Sequence, residues 1–426
     1  MSKINIIKGD IIYNISYNKQ ITIKDGFLIF SGNKIIGTFK NIPEEFKNIN
    51  ITDYTNKLIM PGLIDLHTHA PQYPFRGIGM DMELLPWLNK YAFKEEAKYK
   101  NIEYANNIYN TYVDDIKKSA TTRFCIFGTL HRESTELLMS KLEKIGINSF
   151  VGKVNMDINC PDNLSENSEE SIKETEKWLN NIYEKYKYTK PIITPRFVPS
   201  CSSKLMKKLG EISEKYNLPV QSHLSENLSE ISLVKEMYPK LMSYADVYNK
   251  HNIFGEKTNC IMAHCVHSDK NENELSLLKN RNVWIAHCPD SNTNLSSGIA
   301  PTAKYLREGY KIGLGSDIAG GTKLSIFNAI ADAIKVSKLR WIYIDNKNNP
   351  LTISEAFYMA TKGGGKFFGN VGSFEKNYES DIIIIDDKNN YNNELTIKER
   401  LEKVIYLSED YKLVAKYVQG RLIYSI

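Results

Sequence analysis

Most of the eight histidines sit where short apolar runs end. His67 and His69 close GLIDLHTH, His223 closes VQSH, His264 closes CIMAH, and Asp317 follows KIGLGS. Residues two apart on a strand point to one face, so His67 and His69 can reach a common point. Three imidazole nitrogens and one carboxylate oxygen drawn from this set suit a divalent metal such as zinc, and the lack of thiolates suits a catalytic rather than a structural site. Taken singly, His264 reads as a core histidine and Asp317 as a turn residue or helix cap. Their joint occurrence at strand ends favours the metal. Glu226 stands three residues beyond His223 in HLSE. Beside a metal, its carboxyl can take a proton from water and pass it to a leaving group; alone, it would read as part of a helix N-terminus.

Such a set needs strands that all end at one rim. Between 59 and 370, apolar runs at 62–67, 122–127, 149–156, 192–197, 220–223, 260–264, 283–287 and 311–315 alternate with amphipathic stretches such as 168–186, 202–216 and 272–279. This alternation predicts an α/β fold, a TIM-type (β/α)8 barrel whose active site gathers residues from the C-terminal ends of the strands. Residues 1–58 and 371–426 carry β-branched runs instead, at 5–7, 20–23, 27–30, 34–38, 381–385, 411–419 and 422–424. The expectation is a small β-sandwich-like domain built from both chain ends. The Asn-rich stretch 386–393 reads as a loop.

Composition narrows the functions. The 55 basic and 50 acidic residues leave a charge of +5, too small and too dispersed for a nucleic-acid stripe. No run approaches the roughly 18 apolar residues of a membrane span, and the opening MSKINIIKGD does not resemble a signal peptide. Six cysteines without a CxxC pair exclude ribbon-type zinc sites and the PCxxC deaminases. A cytoplasmic chain without disulfides is expected, and no membrane or nucleic-acid partner.

PGLIDLHTHAPQYPFRG, LLPWLNKYAFKEEAKY, TPRFVPSCS, QSHLSEN, MAHC, AHCPDSN and GLGSDIAGG together resemble the guanine deaminase family of the amidohydrolase superfamily. The resemblance spans 59–370 and weakens in the terminal strands. It implies hydrolysis of guanine to xanthine and ammonia by a metal-activated water, in a homodimer. It also implies one Zn2+ per subunit, with Fe2+ compatible, held by His67, His69, His223 and Asp317. His264 and Asp317 would orient the water, and Glu226 would carry its proton to the ring nitrogen and the departing amine. Gln72 in HAPQY would read the purine edge, while Arg196 and Phe197 in PRF would supply a planar donor fork and a stacking face. The same metal set would serve a deaminase of a pterin, an adenine derivative or a triazine, whereas an inactive scaffold would lack parts of it.

Two-metal relatives bridge their ions with a modified lysine on strand four. The run 192–197 has no lysine and Lys153 falls on strand three, so a single metal is implied. Three positions depart from the family pattern. Asp290 replaces the usual asparagine in HCPDSN, where its charge would alter substrate preference. Ser316 stands for threonine, and SATTRFC lacks a glycine before its threonines. His287 reads as support or strand-end packing, His131 and His267 as rim residues, and His251 as a surface residue.

Overall fold

A computed structural model of the chain describes residues 3–387, 395–407 and 411–426. The β-branched N-terminal runs form β1 (Ile4–Ser16), β2 (Lys19–Ser31), β3 (Lys34–Phe39) and β4 (Ile51–Pro61). The middle of the chain supplies β5 (Leu63–His69), β6 (Thr121–Phe127), β7 (Asn148–Gly152), β8 (Val154–Asn155), β9 (Thr189–Pro191) and β10 (Thr194–Pro195). It continues with β11 (Val220–Leu224), β12 (Cys260–His264), β13 (Val283–His287) and β14 (Lys311–Leu314). The chain returns to the first sheet through β15 (Ile382–Asp386), β16 (Lys412–Val418) and β17 (Arg421–Ser425).

Both chain ends build one continuous seven-stranded sheet in the order β17-β16-β15-β4-β1-β2-β3. Strand β4 pairs in parallel with β1 and antiparallel with β15, so it joins the two ends of the chain. The runs 20–23 and 27–30 belong to the single strand β2. Between them the register with β1 shifts, and Asp25 takes a left-handed φ of 49° with its N–H held by Asp10 Oδ1 at 2.9 Å.

The middle strands pair in parallel as β5-β6-β7-β9 and β11-β12-β13-β14. An Ile193–Val220 bridge joins the two halves on one side. On the other, the Asp317 N–H donates to the His67 carbonyl at 2.8 Å. The expected third strand is interrupted between β7 and β8, and the fourth begins earlier than 192 and forms two short pieces, β9 and β10, each of which contains a proline, Pro191 or Pro195, with no N–H to give to a ladder. Gly152 sits at the break between β7 and β8: a Cβ there would lie 1.7 Å from Thr194 Oγ1, so only glycine admits the approach.

The amphipathic stretches wrap the barrel. Helix Ser168–Ile182 starts at an Asn167 cap and buries Trp178, Leu179 and Ile182. Helix Ser203–Tyr216 starts at a Ser202 cap, and Glu272–Asn280 follows β12. Helix Ile397–Tyr406, which hydrophobic runs alone do not announce, is marked by the capping box of Thr396 and Glu399. Residues 388–394, most of the stretch read as a loop, lie outside the described residues. No helix among the described residues is long and apolar enough to cross a membrane.

Candidate active site

The strand ends deliver the histidines to one point. Ser225, His264, Cys265 and Asp317 have left-handed backbones, with φ between 46° and 73°. Such conformations are costly for residues other than glycine, and they recur where a chain must turn sharply at a functional site. Here they end β11, β12 and β14 at the barrel mouth.

His67 Nε2 lies 3.1 Å from Asp317 Oδ1, and His69 Nε2 lies 3.4 Å from the same oxygen. His69 Nε2 and His223 Nε2 are 3.3 Å apart. His223 donates its Nδ1–H to the Arg196 carbonyl at 2.6 Å, which leaves the Nε2 lone pair facing His69. Neither ring nitrogen of buried His67 has a hydrogen-bond partner. Lone pairs this close need a cation between them. Ligands at the 2.0–2.1 Å typical of zinc–nitrogen bonds are about 3.3 Å apart in a tetrahedron, which the observed spacings match. These residues therefore fit a divalent metal.

His264 stands beside this group. Its Nε2 is 3.3 Å from Glu226 Oε2 and 3.7 Å from Asp317 Oδ2, while its Nδ1 pairs with Asn292 Oδ1 at 2.8 Å. Its ring also falls within reach of His67 and His223, so direct ligation is geometrically open to it. Glu226 accepts from Ser297 Oγ at 3.2 Å. Burial, reinforced by the negative charge of Asp317, holds the Glu226 carboxyl well above the usual range. Burial also opposes ionisation of Asp317, but the neighbouring imidazoles, His67 foremost, outweigh it and hold that carboxyl well below its usual value. Burial and the neighbouring imidazoles depress His69 and His223, so both rings are neutral, as metal ligation requires.

His69, Gln72, Arg196, Phe197, His223, Glu226, His264 and Asp317 line a single cavity, with His67 buried just below. Leu84, Trp87 and Leu88 supply its apolar wall. They lie on helix Leu84–Trp87 and the π-helical turn Leu88–Ala92, which lead into helix Phe93–Ala97. Glu96 of that last helix accepts from Gln72 Nε2 at 2.8 Å and pairs with Arg196. Sequence spacing did not reveal Glu96, nor Asn292 and Ser297, although Asn292 lies within the PDSN motif. It also missed Asp65, which accepts from the His67 and Ser316 N–H groups and from Ser316 Oγ, tying β5 to the Asp317 loop.

Two expectations are corrected. Asp290 does not turn its charge to the cavity: its carboxylate accepts from the Thr322 N–H and Oγ1 at 2.7 and 2.8 Å and from Asn294 Nδ2 at 3.0 Å. A short side chain at the start of the Pro289–Asn294 helix reaches these donors more readily than the barrel axis. His251 is buried rather than on the surface, with its ring between the Val247 carbonyl and Ser203 Oγ. Lys153 ends in an ion pair with Glu166 at 2.8 Å. His267 bonds the Ser297 carbonyl at 2.8 Å, and His287 is buried with neither nitrogen paired.

A parallel barrel with imidazoles and a carboxylate gathered at its mouth defines a metal-dependent hydrolase architecture. The chain belongs to the amidohydrolase family, whose sequence model matches residues 58–423. It is 38% identical to guanine deaminase of Dictyostelium discoideum, over 99% of this chain and 98% of that one. It is 33% identical to guanine deaminase of Escherichia coli (strain K12), over 95% and 92%. The solved guanine deaminase from C. acetobutylicum with guanine bound in its active site is 48% identical, with a TM-score of 0.95 over 99% of this chain and all of that one.

Proposed function

We propose that this amidohydrolase deaminates guanine, replacing the exocyclic amine with oxygen to give xanthine and ammonia. The observation that carries the reading is the full-length likeness to a guanine deaminase with guanine in its active site. His67, His69, His223 and Asp317 are the metal ligands in this reading. Zinc is the favoured ion and Fe2+ the alternative, since nitrogen and carboxylate donors accept both.

A divalent metal held by these residues would supply a water that ionises near neutral pH. Glu226, whose carboxyl burial holds readily protonated, passes a proton to the ring nitrogen and regains one from the attacking water; it then passes a proton to the departing amine and regains the water's second as the new carbonyl forms. His264, steadied by Asn292, faces both Glu226 and Asp317 and orients the attacking water. Arg196 and Gln72 offer hydrogen bonds to the purine edge, and Phe197 offers a ring face. Leu84, Trp87 and Leu88 keep bulk water away. With Asp290 committed to Thr322 and Asn294, nothing at that position favours another heterocycle.

The exposed run of Leu339, Trp341, Ile342, Tyr343 and Ile344 suits a homodimer contact. Six unpaired cysteines suit a reducing cytoplasm. The test of function is ammonia release from guanine by zinc-loaded protein. Chelation should abolish turnover and added zinc should restore it. A protein that binds one metal per chain yet leaves guanine intact would reject guanine as substrate.

A further inference from the structure

Behind the cavity wall lies a carboxylate to which the mechanism above gives no role. Glu96 is 1% exposed and does not itself border the cavity. One of its oxygens accepts from Gln72 Nε2 at 2.8 Å and the other from Arg196 Nη1 at 2.5 Å. On its far side, Gln72 Oε1 accepts the Ala319 N–H at 3.0 Å. We propose that Glu96 is a positioning residue that sets specificity, by fixing the hydrogen-bond polarity of Gln72 and cancelling the charge of Arg196 so that the cavity prefers a neutral purine to an anionic one. The proposal rests on the guanine reading of the site.

Polarity comes first. An amide whose NH2 faces a carboxylate and whose oxygen faces an N–H cannot flip, because the reversed amide would set oxygen against oxygen and N–H against N–H. Gln72 is therefore left with one N–H and one oxygen lone pair in fixed places. An adenine-like edge, with its donors and acceptors exchanged, meets the wrong partners.

Charge is the second effect. A guanidinium is permanently positive, and a buried one facing a cavity draws anions strongly. Glu96 in direct contact makes the pair neutral as seen from the cavity. This matters for turnover, because xanthine carries a carbonyl where guanine has its amine and ionises more readily. An unbalanced Arg196 would hold the anionic product; the balanced pair lets it leave.

The test compares binding of xanthine, largely anionic at mildly alkaline pH, with that of hypoxanthine, largely neutral there. Calorimetry on zinc-loaded protein reads both without turnover. In Glu96→Gln, xanthine should tighten about tenfold relative to hypoxanthine, the KM for guanine should rise, and bound metal should not change. Arg196→Gln, which leaves Glu96 unbalanced, should move the ratio the other way, and the double variant should return it to the wild-type value. Should Glu96→Gln not fold, the Arg196→Gln and double variants still read the sign. A ratio that stays fixed in the single variants that fold overturns the proposal. Wild-type protein that releases no ammonia from guanine would instead sink the guanine reading, whatever the ratio does.

Discussion

His223 and Arg196 are joined by a 2.6 Å hydrogen bond from the imidazole Nδ1–H to the backbone carbonyl. One residue next to β10 thus sets the tautomer of a ring in the histidine cluster through its main chain and furnishes the cavity wall through its side chain. Such outer contacts orient a ligand as surely as the metal does. The two roles are separable by mutation, since only the second depends on the side chain.

Arg196→Ala should keep the carbonyl and with it the bound metal, measured as ions per chain. Its kcat/KM for guanine should fall by about 100-fold or more through loss of the charge-assisted hydrogen bonding that Arg196 offers the purine edge. The variant should also lose stability, on the order of 3–5 kcal/mol, because Glu96 is left buried without its partner. Unchanged kinetics would remove Arg196 from the substrate wall.

Glu226→Gln preserves size and can still accept from Ser297. Metal content should stay constant while kcat falls by about 10²- to 10⁴-fold, the usual worth of a positioned proton carrier. Ammonia release under saturating guanine is the measurement. Retention of most of the rate would assign the proton transfer elsewhere.

Asp290→Asn should leave the order of preference among guanine, adenine and pterins as it is, because the carboxylate faces Thr322 and Asn294. Only a small destabilisation, about 1 kcal/mol, is expected from the weakened hydrogen bonds to the Asp317 loop. A broadened substrate range would show that the charge reaches the cavity after all.

Lys416 gives a pH signature of stability. It is fully buried, donates to the carbonyls of Ile116 and Ser119, and is pushed down from 10.5 to about 7 by burial. Below pH 7 both folded and unfolded chains hold its proton. Between about 7 and 10.5 only the unfolded chain does, so stability rises with pH across that window. Denaturation of the wild type and Lys416→Met should show the wild type gaining on the order of 1–2 kcal/mol relative to the variant from pH 7 to 8.5. A difference that does not vary with pH would contradict the depressed value.

The barrel and the meeting of His67, His69, His223, His264 and Asp317 were legible because strand periodicity and strand ends are written locally. Glu96 was not, since its contacts lie 24 and 100 residues away and depend on how the 84–97 segment folds over the mouth. Asp290 could be placed near the site but not aimed, because a carboxylate follows whichever donors lie closest. His251 looked exposed among polar neighbours, yet the Val247 carbonyl and Ser203 hydroxyl satisfy its ring and permit burial. The short pieces of the fourth strand were readable in principle from Pro191 and Pro195.

The position of β4 between β1 and β15 has a consequence in time. About 320 residues separate Pro61 from Ile382. At a synthesis rate of roughly 5–20 residues per second, β4 waits some 15–60 s on the ribosome with one edge bare. An unpaired edge is a template for pairing with another chain, so the nascent protein is most exposed to mispairing just before its last strands emerge.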